Sequence, residues 1–363
     1  MRIVIDLRMY GSSFGIGRYN QRLLEELIRI DTANQYILLF KEAPKGLNLP
    51  DNFKVKLVDC HWYGLKEQIM MPKILNKLKP DLVHFPHFNI PIFYRGKFIV
   101  TIHDLIMTRF PSRRASTLNK LFFKLKYGIY EQVIKRAVAK AQAIIAVSEF
   151  TAQDIKKYFK LSDKQAEKIR VVYEGVTISK QQTSATLKLP DKFFLYVGNA
   201  YPHKNLDWLV ETFKLFIAEH PNYHLMLVGK KNYFYQRLAE KFADLPSLIL
   251  PGFVPDNELF AYYKAAKAYI FPSKYEGFGL PPLEAMSQDL PVLSSNAGPM
   301  PEVLGPAAKY FDPNDTEELL CLMSEIVEDN DLRNNLIHAG QIQIKKYSWA
   351  KMAQKVLEIY KQV

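Results

Sequence analysis

"IRVVYEGV" at 169–176 and "FFLYVGN" at 193–199 are strand-like runs held apart by "TISKQQTSATLKLPDK" at 177–192, and what flanks this polar interval decides the fold. The two runs are β-branched and aromatic, whereas the interval has no hydrophobic period. Upstream, "RIVIDL" (2–7) leads into a helix from about Gly17; "DLVHF" (81–85) and "FIVTIHD" (98–104) follow, and a long helix ends before "AQAIIAVS" (141–148). Downstream the alternation restarts, with "YHLMLVG" (223–229), "LILPGF" (248–253), "AYIFPS" (268–273), "LPVLSS" (290–295) and "AKYF" (308–311) as further strands. Strands alternating with helices imply parallel sheets covered on both faces. The reading is therefore α/β, with two Rossmann-like domains over residues 1–180 and 181–346, their parallel sheets facing a central cleft. In such folds ligands bind beyond the carboxyl ends of the strands.

Composition agrees with two folded domains. The chain has 363 residues, more than one ordinary core accommodates, and 48% are hydrophobic. Met1-Arg2 runs directly into "IVIDL", so no secretory segment is expected, and apolar runs such as "AIIAV" (143–147) are strand-length. These features predict a soluble cytoplasmic protein. Cys60 and Cys321 lack metal-ligand or redox spacing and read as ordinary thiols. Net charge is +12, unevenly distributed: residues 1–180 hold 31 Lys+Arg against 16 Asp+Glu, the remainder 18 against 21. A basic first half suits nucleic acid, an anionic bilayer or an anionic small molecule.

Several short stretches carry chemistry. In "SKYEGFGLPPLEAM" (273–286) a strand gives way to a glycine-rich turn and then a helix, with Pro281 and Pro282 suited to its first turn. Glu276 is expected in the loop and Glu284 within the helix, two acceptors for the hydroxyls of a sugar nucleotide; a capping Glu beside a surface Glu fits the pattern equally. Gly277 and Gly279 allow close backbone approach to phosphates, with Phe278 and Leu280 beside them. In "YVGNAYPHKNLDWLV" (196–210) His203 and Lys204 precede a helix starting near Asn205, which suits a diphosphate, though such a lysine is commonly a solvated surface group. "MYGSSFGIGRYN" (9–20) offers Gly15, Gly17 and Arg18 at another helix start, but the dinucleotide fingerprint fails in spacing and Asp31 does not end a second strand. His103 and Asp104 in "VTIHDL" end a strand, a pairing that is structural as often as catalytic. Three features read as structural: "DND" (329–331) as a turn between helices, Ser148 as a helix cap, and His84 with His87 as histidines without a third metal ligand.

Taken together, "GIGRY", "TIHDL", "VSEFTAQDI", "YVGNAYPHKNL", "PGFVPDNEL", "SKYEGFGLPPLEAM" and the terminal "YSWAKMAQKVLEIY" resemble the retaining glycosyltransferases of family 4, which have the GT-B fold. The resemblance implies a nucleotide diphosphate sugar held mainly by the second domain and an acceptor by the first. By position, it gives Glu276 the sugar hydroxyls, Glu284 the ribose, Lys204 the diphosphate, and Phe253 and Val254 the base. Gly15 and Gly17 lie against the phosphates, His103 against the transferred sugar, and the helix of 347–363 returns to the first domain. Glu276, Lys204 and His103 are thus the catalytic candidates. Where the family usually carries an arginine this chain has Asn199 and His203, so the diphosphate clamp is weaker or is completed by Arg18 or helix amides. No metal or other cofactor is expected. "GIGRY", "TIHDL" and "HKNL" lean toward bacterial mannosyltransferases of polysaccharide and O-antigen synthesis using GDP-mannose, with UDP-glucose the alternative donor.

Residues 109–140 contain nine Lys+Arg and one acidic residue, with Leu121, Phe122, Leu125 and Ile129 at helical spacing. Arg113, Arg114, Lys120 and Lys124, with Asp104, are expected to face a glycan or lipid-linked acceptor or an anionic membrane, placing the protein peripherally on the inner membrane face. An amphipathic core helix with a basic outer face gives the same pattern. A nucleic-acid-binding protein is suggested by charge alone and is set aside for want of a recognition motif. An NAD-dependent oxidoreductase lacks its fingerprint, and the two glutamates favour sugar transfer over sugar-nucleotide epimerisation.

Overall fold

The computed structural model describes residues 1–11, 15–42, 44, 46–111, 120–177 and 187–363. It divides into one unit of Met1–Gly175 with Ser348–Val363 and a second of Val176–Tyr347. The sequence-expected Arg113 and Arg114 lie outside the described residues, as do the side chains of Lys120, Leu121 and Phe122.

In the first unit the strands are β1 (Arg2–Asp6), β2 (Gln35–Phe40), β3 (Phe53–Leu57), β4 (Leu82–Phe85), β5 (Phe98–Ile102), β6 (Ala143–Ala146) and β7 (Ile169–Val171). They form one parallel sheet in the order β3-β2-β1-β4-β5-β6-β7. Every residue of β4, β5 and β6 is buried, as strands covered on both faces require. Two strands, β2 and β3, are absent from the sequence reading. Edge strand β3 alternates apolar and basic residues, yet buries only Phe53: Val55 and Leu57 are exposed, like Lys54 and Lys56, as befits a sheet edge.

The second unit holds β8 (Phe193–Val197), β9 (His224–Val228), β10 (Leu248–Gly252), β11 (Ala268–Phe271), β12 (Val292–Ser295) and β13 (Ala308–Phe311). Its parallel sheet runs β10-β9-β8-β11-β12-β13. Both sheets reverse their winding direction once, between β1 and β4 in the first unit and between β8 and β11 in the second. Each reversal leaves a crevice at the carboxyl end, where open α/β sheets take ligands.

The helix Gly15–Ile30 begins two residues before its expected start and buries Tyr19, Leu23, Leu24 and Leu27 against the first sheet's core. The C-terminal helix Trp349–Gln362 belongs to that same unit and packs beside it. Ser348 caps the latter by accepting from the Lys351 N–H. Tyr360, fully buried, has its hydroxyl 2.7 Å from His84 Nδ1. Gly175 fixes the approach: a Cβ there would lie 2.2 Å from the Trp349 backbone nitrogen. Asp329 accepts the Leu332 N–H and caps Asn330–Gln343, so "DND" is a turn between helices. Ser148 likewise caps Glu149–Tyr158.

Candidate active site

In the second unit the chain leaves β8 through Gly198, Asn199 and Ala200 into one turn of 3-10 helix, Pro202–Lys204. Two tyrosine hydroxyls secure this loop, Tyr196 donating to Asn199 O at 2.8 Å and Tyr235 to Gly198 O at 2.8 Å. Asn205 takes the left-handed conformation, φ 60°, which turns the chain sharply into the helix Leu206–Glu219. Its side chain donates to Pro313 O at 2.8 Å, which locks the turn.

Across the switch point, β11 runs into Ser273, Lys274, Tyr275 and Glu276. The two loops are joined by the Lys274 N–H donating to His203 O at 2.7 Å. This tie brings Lys204 Nζ within 2.5 Å of Glu276 Oε1, with both side chains about nine-tenths buried (13% and 10% exposed). The ammonium also lies 5.6 Å from the Phe271 ring centroid, a cation–π contact at the strand end. His203 beside it is buried and held neutral. Desolvation, then the charge of Lys204, pulls its pKa down to about 4 against the opposing pull of Glu276. His203 is therefore no positive substitute for an arginine at neutral pH.

Gly279 ends the glycine turn with φ 98°, a region that disfavours any side chain, and a Cβ there would sit 2.4 Å from Met300 Cε. The helix Leu280–Ser287 follows with Pro281 and Pro282 in its first turn, where a missing N–H costs nothing. Gly277, Phe278 and Leu280 are buried around it; Glu284, half-buried, stands in the second turn. After β10, Phe253 is 67% exposed and Val254 buried, leaving an aromatic face open to solvent at the sheet's carboxyl edge.

The remaining candidates belong to the first unit. Gly15, Gly17 and Arg18 form the first turn of Gly15–Ile30, beyond β1. His103 follows β5 and is pinned on both sides. Its Nδ1 lies 2.9 Å from Glu174 Oε1 and its Nε2 3.0 Å from Pro86 O, and Tyr19 meets the ring edge-on at 4.8 Å. Burial lowers the basicity of His103, but the Glu174 hydrogen bond and charge outweigh it, so its pKa is raised. With an acceptor at each nitrogen the ring suits the imidazolium form. Asp104 Oδ1 accepts the Ile106 N–H at 2.8 Å and starts the short helix Ile106–Arg109. Lys124 is exposed on Lys120–Lys140.

Two groups escaped the sequence reading. Glu174 lies three residues beyond β7, and its partner His103 lies 71 residues away in sequence. The second is a buried ion cluster at the end of β1, where Arg8 bonds Asp6 and Glu67. The Asp6–Arg8 spacing was visible; Glu67 was not, since only the fold brings it there. Among the described residues no group of three or more His, Cys, Asp or Glu is placed to hold a metal ion.

The model for glycosyltransferase family 4 matches residues 15–180, and that for glycosyl transferases group 1 matches residues 178–343. The chain belongs to the family 4 glycosyltransferases. It is 31% identical over 292 residues to the serotype-specific mannosyltransferase WbdA of Escherichia coli, an alignment covering 76% of this chain and 34% of that protein. The chain thus spans about a third of the length of that relative. To the O-antigen chain mannosyltransferase B of E. coli it is 27% identical, covering 79% of this chain and 76% of that one. HepE of Anabaena, solved in complex with UDP and glucose, superposes with a TM-score of 0.74 at 16% identity, covering 100% of both chains. That likeness gives the fold, GT-B.

Proposed function

We propose that the chain is a retaining hexosyltransferase that moves mannose from GDP-mannose to a glycan or lipid-linked glycan in cell-surface polysaccharide synthesis. The observation carrying this reading is the buried Lys204–Glu276 pair across the β8/β11 switch point. A diphosphate entering there competes with Glu276 for Lys204, and the released carboxylate becomes an acceptor for hydroxyls of the transferred sugar. Lys204 and the helix amides then stabilise the charge that develops on the leaving diphosphate. The bond from the anomeric carbon to the diphosphate breaks as the bond to the acceptor oxygen forms on the same face. The acceptor's proton passes to the departing phosphate oxygen. Glu284 binds the ribose and Phe253 offers its open face to the base. Asn199 and neutral His203 contribute no charge, which leaves Lys204 as the principal cation of the second unit's site.

The relatives' names support mannose as the sugar. A UDP-hexose is the second reading, favoured by the shared fold with HepE in complex with UDP and glucose. Peripheral membrane contact is part of the proposal: on Lys120–Lys140, Leu125 and Ile129 are exposed one turn apart, beside exposed Lys124 and Lys126. Among the described residues no helix is long and apolar enough to cross a membrane.

The test is nucleoside diphosphate release from a panel of GDP- and UDP-sugars, with and without short glycan acceptors. GDP release from GDP-mannose alone, abolished by Glu276→Ala, is the expected result. Release from UDP-glucose instead establishes the second reading, and silence across the panel rejects both.

A further inference from the structure

Gly198, Gly229 and Gly252 stand at the carboxyl ends of β8, β9 and β10, three neighbouring strands of the second sheet. The backbone ties them in a row, the Gly198 N–H donating to Val228 O at 2.9 Å and the Gly229 N–H to Gly252 O at 3.0 Å. At Gly229 a side chain has no room, since its Cβ would be aimed at Gly198 O and the Tyr235 hydroxyl. Gly252 takes φ 87°, a conformation side chains disfavour, and what lies over it comes from the next strand: a Cβ there would stand 3.5 Å from Lys231 Cε and 3.9 Å from its Cγ. The stem of Lys231 is thus folded across the end of β10, immediately before the open ring of Phe253.

The charges along this edge are unequally engaged. Lys204, on the loop after β8, is held by Glu276, whereas among the described residues neither Lys230 nor Lys231 forms an ion pair. At about 4.8 Å per strand, the end of β10 lies about 10 Å from the end of β8. That separates Lys231 from the cation assigned to the diphosphate by roughly the length of a nucleoside. A base lying against Phe253 therefore meets the Lys231 ammonium along its edge and not through its phosphates. An ammonium donates hydrogen bonds and accepts none, so the edge it favours is one that carries acceptors only. Guanine offers O6 and N7 side by side; adenine sets an amino donor next to N7, and a uracil-type ring presents a single O4.

From this placement we infer that Lys231 is a specificity-determining residue for the base of the donor: its ammonium reads O6 and N7 of a guanine packed on Phe253, and so favours guanosine diphosphate donors over uridine and adenosine ones. The inference rests on the reading of the second unit as a nucleotide-sugar site; it does not depend on which sugar is carried.

The experiment is isothermal titration calorimetry on the whole chain with GDP, 7-deaza-GDP and UDP, the second differing from the first only in a C–H where guanine has N7. Wild type should bind GDP at least about tenfold more tightly than UDP, and about threefold to tenfold more tightly than 7-deaza-GDP, which lacks one acceptor. Lys231→Met keeps the stem over Gly252 and removes the donors. It should bind GDP about tenfold more weakly, hold UDP within about twofold, and no longer separate GDP from 7-deaza-GDP. Lys231→Arg, which presents a fork to the same two acceptors, should restore the preference. Wild type binding UDP as tightly as GDP, or more tightly, would overturn the inference. So would Lys231→Met weakening GDP and UDP alike, the mark of a phosphate contact, or a penalty for 7-deaza-GDP that survives in Lys231→Met. Each of those results leaves nucleoside diphosphate binding, and with it the transferase reading, in place. A wild-type chain that binds none of the three would reject both.

Discussion

Lys204 Nζ and Glu276 Oε1, 72 residues apart in sequence, meet at 2.5 Å over the point where the second sheet reverses its winding. Each charge is the other's principal compensation, because neither side chain exposes more than 13% of its surface. Removing one partner strands the other in a poorly solvated crevice, which for buried pairs costs about 3–5 kcal/mol. Lys204→Met should therefore lower stability by about that amount in urea titration, and Lys204→Met with Glu276→Leu should recover most of it. A loss below about 1 kcal/mol for the single variant would mean that water reaches the pair as it does at a protein surface.

The two glutamates of the opening motif should separate kinetically. Glu276 lies against Lys204, the cation proposed to face the leaving group, so Glu276→Ala should lower kcat by about 10²–10³ with little change in donor KM. Glu284 sits a helical turn further on, half-buried, and its proposed partner does not react. Its removal deletes a charge-assisted hydrogen bond of about 1.5–3 kcal/mol, so donor KM should rise at least about tenfold with kcat preserved. Steady-state kinetics with saturating acceptor distinguishes the two; identical profiles would remove the division of roles.

Much of this was legible in the sequence because the deciding signals were local. The polar interval at 177–192 separates two runs of strand and helix, and Gly279 with Pro281 marks a turn entering a helix by backbone chemistry alone. What escaped depends on distant partners. Strand β3 shows one buried residue in five, and its identity as a strand comes from pairing with β2. Asp31 looked like a failed ribose ligand; in the fold it accepts from Asn34 and from the Tyr36 hydroxyl, closing the turn into β2. Glu67 is fully buried only because Arg8 and Asn89 reach it from β-strand ends elsewhere in the chain.

His103 and Glu174 give a pH dependence of defined sign. The folded pKa of His103 is raised above its ordinary 6.5, first opposed by burial and then overcome by Glu174. A raised pKa contributes stability that is complete below about pH 6.5 and lost as pH climbs through the folded value. Glu174→Gln should consequently destabilise more at pH 6 than at pH 9, and the NMR titration midpoint of the His103 ring should fall in the variant. A penalty that is constant across that window, with an unmoved midpoint, would show that the pair is held by packing and not by charge.

Leu125 and Ile129 expose 62% and 44% of their surface one turn apart on Lys120–Lys140, while Tyr130, Val133 and Ile134 on the same helix are buried. The core therefore accounts for one face of this helix and leaves the other apolar pair uncovered, flanked by Lys124 and Lys126. Inserting the pair into a bilayer interface buries side chains worth up to about 1.5–3 kcal/mol each. Each neighbouring lysine adds about 1 kcal/mol on anionic lipid. Flotation with phosphatidylglycerol-rich vesicles should show binding that weakens as salt rises, and Leu125→Glu with Ile129→Glu should cut it at least about tenfold. Binding equal in wild type and variant would move the contact to another surface, and no binding by wild type would leave the two side chains as ordinary exposed residues.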